Sequence, residues 1–235
     1  MALAVVADAH LGGPGGPADE LVEQLRALPA QGCCRLILLG DLFHVWIGDR
    51  RYETAEIRAV VETLRWLRGQ GVRVDYIEGN RDFFLEGSEY QDAFDGLHLE
   101  LEVEHEGTRY LFVHGDGLNE KDRKYRFWRW LSKSAPSRFL FRRIPGPLAR
   151  KIVHGTEQQL AKSNFRHKSR IPAEVLERFG MERLAGEVDE LVLGHFHDEF
   201  ERSVPGGKVR VMDAWFHHRT MQWLGTVPAT AGSAS

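Results

Sequence analysis

Seven side chains able to ligate a divalent metal each follow directly on a short apolar run. They are Asp8 and His10 after LAVVA, Asp41 after LILLG, Asn80 after VDYIEG, His114 after YLFV, and His195 and His197 after ELVLG. Carboxylate and amide oxygens mixed with imidazole nitrogens suit Mn, Fe or Zn, and a pair of ions about 3.5–4 Å apart is best served by a carboxylate that bridges them. Asp8 and His10, two residues apart, are expected on the same side of an extended segment. Asp41 is placed to bridge. The expected division puts Asp8, His10, Asp41 and His197 on one ion, and Asp41, Asn80, His114 and His195 on the other.

Such a set works only if the fold brings its members to one place. A short run of branched aliphatics closed by glycine reads as a buried strand, and open α/β sheets hold their chemistry at the C-terminal ends of strands. Between the strands, Leu21, Val22, Leu25 and Leu28 recur at helical spacing within Ala18–Leu28, and Ile57, Val60, Val61, Leu64 and Leu67 do so within Glu53–Gly69. These spacings predict βαβ units, with a strand at Val72–Ile77. Leu97–Val103 and Arg109–Val113 read as a hairpin turning at Glu106-Gly107-Thr108. Pro172–Phe179 reads as a helix, while Glu190–Leu193, Lys208–Met212 and Thr220–Leu224 are expected to complete the sheet. The loop Leu11–Pro17, LGGPGGP, suits backbone passing close to an ion or phosphate.

A chain of 235 residues, 43% of them hydrophobic, can bury one sizeable core. Its two cysteines, Cys33 and Cys34, are adjacent and read as reduced thiols. No leader segment and no membrane-spanning apolar run is evident, so a cytoplasmic protein is expected. The formal charge of −3 conceals an asymmetry: residues 118–171 hold 15 Lys and Arg against Glu120, Asp122 and Glu157, a balance of +12, which leaves −15 on the remainder. That basic segment is also rich in aromatics (Tyr125, Phe127, Trp128, Trp130, Phe139, Phe141) and is broken by Pro136, Pro145 and Pro147. It reads as two or three short helices inserted into the sheet domain. The expected layout is a core of residues 1–117 and 172–225, an inserted lid of 118–171, and a frayed tail of 226–235. The basic segment also allows a nucleic-acid binding module, which the intact ligand set argues against.

The ordered motifs D-x-H, GD, GN, H and GH-x-H resemble the calcineurin-like metallophosphoesterases across nearly the whole chain. The resemblance implies an α/β sandwich of two mixed sheets flanked by helices, a dinuclear metal site, and hydrolysis of a phosphate ester or anhydride by a metal-bound hydroxide. More specifically, GDLFHVWIGD, GNRDFF, HGDGLNEKDRKY and VMDAW are similar to the bacterial UDP-2,3-diacylglucosamine pyrophosphatases of lipid A synthesis, which also carry a basic, aromatic helical lid after the HGD block. That similarity implies two divalent ions, Mn first and Fe, Zn or Mg as alternatives, and cleavage of the lipid-linked nucleotide sugar to UMP and 2,3-diacylglucosamine 1-phosphate by a peripheral enzyme on the inner face of the cytoplasmic membrane. Another nucleotide diphosphate, a phosphodiester or a nucleic-acid end is the alternative substrate.

By the same similarity Asp41, Asn80, Arg81, His114 and His195 are the catalytic set. Arg81, with its planar guanidinium, is assigned to the diphosphate, with a salt bridge to a nearby carboxylate such as Asp82 as its ordinary structural role. Asn80 and His195 would also contact substrate, as would Asp122, Tyr125, Ser163 and Lys168 in the lid, where Asn164 and Arg166 compete for the same role. Three positions depart from the relatives' pattern: His44 in place of an acidic residue, Phe196 in place of a small or hydroxyl residue, and Ala7 in place of serine. Trp46 and Trp215 are expected to be packing residues.

Overall fold

The computed structural model describes residues 2–118, 127, 130–148 and 173–226. The five apolar runs all form strands or strand ends. β1 (Ala2–Val6), β2 (Cys33–Leu38), β4 (Arg73–Ile77) and β6 (Gly96–His98) run parallel, and β12 (Gln222–Leu224) joins antiparallel to β1, giving a first sheet in the order β12-β1-β2-β4-β6. The second sheet, β10-β11-β9-β8-β7, is made of β7 (Glu100–His105), β8 (Thr108–Val113), β9 (Glu190–Leu193), β10 (Phe200–Val204) and β11 (Gly207–Val211). Its β8/β9 and β9/β11 pairs are parallel and its outer pairs antiparallel. Both sheets are therefore mixed.

Because successive side chains on a strand face opposite ways, each sheet buries two faces. Leu3, Val5, Ile37 and Ile77 meet Val103, Tyr110, Phe112 and Val192 between the sheets. Ala4, Val6, Leu36, Leu38 and Val74 turn the other way, against α1 (Asp19–Ala27) and α2 (Ala55–Gly69). Leu111, Val113, Leu191 and Val209 pack outward on Leu176 of α4 (Ala173–Arg183). The result is four layers, helix, sheet, sheet, helix, the sandwich that the motifs imply. Thr54 caps α2 by accepting from the Ile57 amide. Among the described residues, no helix is long and apolar enough to cross a membrane.

Three expectations need correction. The single strand read over Leu97–Val103 is two: β6 pairs with β4 in the first sheet, β7 pairs with β8 in the second, and Leu99, 63% exposed, is the crossing point. The alternating pattern runs through the crossing without a glycine or proline to mark it. The strands at 208–212 and 220–224 do not complete one sheet, since β11 lies in the second and β12 in the first. Strand β10 and the two-residue ribbon of β3 (Trp46–Ile47) and β5 (Asp82–Phe83) went unread. The ribbon is too short to show a period, and β10 is too exposed.

In the basic segment, α3 (Ala135–Arg143) is capped by Ser134, whose hydroxyl accepts from the Ser137 amide. Phe141 and Ile144 pack against Ile47, Tyr52, Val45, Phe83 and Phe84 beside the ribbon. Arg51 donates to the carbonyls of Arg142 and Ile144, and Arg138 to that of Glu86. The described part of the insertion is thus docked on the core next to the metal-ligand loops.

On β4 of the first sheet Asp75, fully buried, gathers Arg35 at 2.7 Å, Arg73 at 2.8 Å and His98 at 3.0 Å. Burial would raise its pKa, but hydrogen bonds from Arg73 and His98 and the charges of the two arginines hold it below the usual carboxylate value. A carboxylate stabilised in this way supports the fold above its unfolded pKa and loses that contribution as pH falls through the lower folded value. Asp75→Ala is expected to cost roughly 2–4 kcal/mol at pH 7, because it strands Arg35 and His98. In urea titrations the gap between wild type and variant should shrink as the pH is lowered below about 4; a constant gap would contradict the assignment.

Candidate metal centre

The five loops that follow β1, β2, β4, β8 and β9 come together at one end of the sandwich. Asp8 N–H donates to Gly40 O at 3.2 Å, His10 N–H to Asp41 O at 3.0 Å, and Gly194 N–H to His114 O at 3.1 Å. A Cβ on Gly40 would stand 2.8 Å from the Gly79 nitrogen, and one on Gly194 would stand 2.7 Å from Asp8 Oδ2. Glycine is required at these two positions by close approach. Asp8, His10, Asp41, His195 and His197 all take positive φ, between 46° and 69°, and make up five of the eight non-glycine residues that do so among those described. Left-handed backbone at aspartate and histidine is strained, and strain of this kind gathers at functional sites. Asp8 and His10 thus reach the centre through two left-handed residues and not, as expected, along an extended segment.

Each of the two carboxylates spends one oxygen on a neighbouring loop. Asp8 Oδ2 accepts from His195 N–H at 2.6 Å, and Asp41 Oδ1 accepts from Arg81 N–H at 2.8 Å. The other oxygens, Asp8 Oδ1 and Asp41 Oδ2, are buried with no hydrogen-bond partner. Around them stand imidazoles: His197 Nε2 at 3.5 Å and His10 Nε2 at 3.8 Å from Asp8 Oδ1, and His114 Nε2 at 3.8 Å from Asp41 Oδ2. His114 Nδ1–H donates to Leu39 O at 2.8 Å, which turns Nε2 inward, the usual orientation of a metal-binding histidine. His10 and His197 bring their Nε2 atoms within 3.1 Å of each other. That spacing suits two ligands about 2.0–2.2 Å from one ion.

Asp8, His10 and His197 form one group of potential ligands, and Asp8, Asp41 and His114 a second. Asp8 is common to both, a place that the sequence reading gave to Asp41. Asn80 Oδ1 lies 3.3 Å from His114 Nε2 and so joins the second group. His195 stands in neither; its ring lies 5.2 Å from that of His114, and its backbone holds Asp8. Burial by itself would raise Asp8, but the His197 imidazole 3.5 Å from Oδ1 and the charges of His114, His197 and His10 hold its carboxyl far below the usual range. Burial likewise opposes a charge on His114, yet Asp41, Asp8 and Asp116 raise its pKa above the ordinary value. The field at the centre therefore favours positive charge. Buried unpartnered carboxylate oxygens facing inward-turned imidazoles fit a divalent metal, and a mixed oxygen and nitrogen set of this kind suits Mn, Fe or Zn.

Arg81 is 6% exposed. Its Nε lies 3.6 Å from Asp41 Oδ2, and its Nη1 donates to His44 O at 3.1 Å, so the nearby carboxylate it meets is Asp41. Phe196 packs on the His195 ring and Ala7 is fully buried. Trp46 and Trp215 are core residues, as expected. Asp122, Tyr125, Ser163, Lys168, Asn164 and Arg166 lie outside the described residues. Sequence reasoning passed over three neighbours of the site and read a fourth, Asp82, only as a partner for Arg81. Phe216 packs on the rings of His10 and His197, Asp116 acts on His114 through its charge, Lys133 donates to Gly79 O at 2.8 Å, and Asp82 is fully buried beneath the ligand loops. Asp82 and Asp116 stood inside the GNRD and HGD motifs already; nothing marked Lys133 or Phe216.

No family model matches the chain. Among individual proteins it is 32% identical to the UDP-2,3-diacylglucosamine hydrolase of Edwardsiella ictaluri, over 94% of this chain and 87% of that one. It is 31% identical to the protein of the same name from Photorhabdus laumondii, over 79% of each. A solved archaeal phosphodiesterase aligns over 96% of this chain and 94% of its own, at 11% identity and a TM-score of 0.48.

Asp41→Ala and His114→Ala are each expected to lower Mn affinity more than about a hundredfold, beyond the roughly 10- to 100-fold that the loss of an outer partner costs, with the circular dichroism spectrum unchanged. Isothermal titration of metal-free protein reads this directly. Wild-type affinity in either variant would remove those residues from the centre.

Proposed function

This chain belongs to the UDP-2,3-diacylglucosamine hydrolase family of calcineurin-like metallophosphoesterases, and on that premise we propose that it hydrolyses the diphosphate of UDP-2,3-diacylglucosamine to UMP and 2,3-diacylglucosamine 1-phosphate. The observation that carries the reading is the inward pair Asp8 Oδ1 and Asp41 Oδ2, buried without hydrogen-bond partners among His10, His114 and His197. Two divalent ions, Mn in the first place and Fe, Zn or Mg otherwise, would be held by Asp8, His10, Asp41, Asn80, His114, His195 and His197. When bound, they supply Lewis-acid polarisation of the diphosphate and an acidified water.

The remaining work falls to the chain itself. Arg81 lies against Asp41 with its Nε buried and lacking a hydrogen-bond partner, so a diphosphate oxygen reaching the centre would find a donor waiting. Asn80 and His195 are proposed to orient the same group. In the insertion, Trp130 is 66% exposed, and Phe127, Phe139, Leu140 and Leu148 are exposed with it. Among them stand Arg138, Arg142 and Arg143, and Arg143 lies over the Phe139 ring at 4.0 Å. Apolar surface interleaved with cations suits acyl chains and an anionic leaflet, which supports a lid over residues 118–171 and a peripheral position on the inner face of the cytoplasmic membrane. Asp122, Tyr125, Ser163 and Lys168 are proposed to contact the nucleotide sugar.

With Mn, the purified protein is expected to release UMP from UDP-2,3-diacylglucosamine and to cleave bis(p-nitrophenyl) phosphate poorly. The reverse preference would overturn the substrate assignment in favour of a phosphodiester. Arg81→Ala should lower kcat/KM for the diphosphate by about 10²-fold, the usual effect of losing one donor aimed at developing charge, and should touch the diester far less.

A further inference from the structure

The two loops that carry Asp41 and Asn80 are tied together by a side chain that stands in neither group of potential ligands. Asp82 is fully buried, and its Oδ2 accepts two backbone N–H groups at once, from Asp41 at 3.1 Å and from Gly79 at 2.7 Å. The tie is reciprocal, since Asp41 Oδ1 accepts from Arg81 N–H at 2.8 Å, one residue before Asp82. Asp41 needs such a tie because its φ is +51°, a conformation that aspartate holds only when its surroundings impose it. The second loop is gripped from the far side as well. Lys133 Nζ donates to Gly79 O at 2.8 Å and lies 3.6 Å from Glu78 Oε2.

We propose that Asp82 is the positioning residue of the metal centre: its single oxygen sets the spacing between the Asp41 and Asn80 loops, and thereby aims Asp41 Oδ2 and Asn80 Oδ1 at one point. The alternative, a carboxylate that merely stabilises the core, is poorly served by these contacts. Both groups that Oδ2 binds are loop amides, one of a ligand residue and the other adjacent to Asn80, and neither belongs to a strand or helix. Oδ1 accepts nothing from the ribbon; the Tyr76 hydroxyl of β4 is the core donor beside the carboxyl, and it leaves Oδ2 to the loops. An oxygen in the place of Oδ2 is what the arrangement uses, and Asparagine can supply one, its amide nitrogen taking the place of Oδ1.

The inference rests on the reading of the cluster as a metal centre, so the test has one arm with metal and one without. In the metal-free full chain, hydrogen exchange should show the Asp41 and Gly79 amides protected in wild type and in Asp82→Asn, and unprotected in Asp82→Ala. In Mn titrations, Asp82→Ala should bind 10- to 100-fold more weakly, as losses of outer partners do. Asp82→Asn should stay within roughly fivefold of wild type, the difference between a charged and a neutral acceptor. An Asp82→Ala protein that melts earlier yet keeps both amides protected and binds Mn as wild type does would show a merely structural residue and overturn the proposal. Should Asp82→Ala fail to fold, Asp82→Asn decides alone, because loss of protection or of Mn binding in that folded variant also overturns it. Absence of Mn binding by wild type would defeat the metal reading itself, while the exchange arm still reports on the tie.

Discussion

Backbone-to-backbone contact between the ligand loops is the constraint from which the rest of this structure follows. Gly40 and Gly79 meet where no Cβ fits, and Gly194 presses on Asp8 in the same way. Loops this close expose each other's amides, and a buried amide must find an acceptor. The acceptors are the carboxylates of Asp8, Asp41 and Asp82. Satisfying the loops therefore consumes one oxygen of each aspartate and fixes where the other points. Closure of this end of the sandwich and construction of the centre are one event.

That arrangement has a thermodynamic cost. Five residues in left-handed backbone carry of order 1–3 kcal/mol each, and a buried oxygen without a partner costs a similar amount. Three apolar layers interleaved with two sheets offset it, and Ala9, Leu11, Leu42 and Phe43 of the loops themselves join the core on the helix side. A cation that binds the folded state alone would add stability by mass action while meeting charges already in place. Asp8 is held ionised by its imidazole neighbours, and the field of Asp8, Asp41 and Asp116 already draws positive charge to His114. Little reorganisation is left for an incoming ion to impose.

How much of this could be read in advance follows from what leaves a periodic trace. The strands leading to Asp8, Asp41, Asn80, His114 and His195 were legible because each is an apolar run stopped by a glycine or a polar residue. Helices α1 and α2 were legible through their apolar spacing. The passage from β6 to β7 was not, since Leu99 continues the alternation of its neighbours while the chain changes sheets. Left-handed φ at Asp8, His10, Asp41, His195 and His197 was equally hidden: glycine announces such geometry, and aspartate or histidine in the same conformation does not. Motif membership pointed to these side chains, but only the fold discloses that Asp8 stands in both groups of potential ligands and that Asp82 holds the amides of their loops.

The charge asymmetry of the chain also takes on a different meaning once the insertion is seen in place. Part of its positive charge is directed inward. Lys133 sits on Glu78 and the Gly79 carbonyl, and Arg138 on the carbonyl of Glu86, while Arg51 of the core reaches back to the carbonyls of Arg142 and Ile144. The apolar residues go largely the other way: α3 has no buried side chain, and Phe139, Leu140, Leu148, Phe127 and Trp130 face solvent. An ordinary surface helix turns its apolar stripe to the core and its charges to water. Here the docking is mostly polar and the apolar surface is left over, so the segment is held to the body without spending its exposed apolar side chains. Lys133 lies where these two uses meet, since the contact that anchors the insertion is made to the residue preceding Asn80.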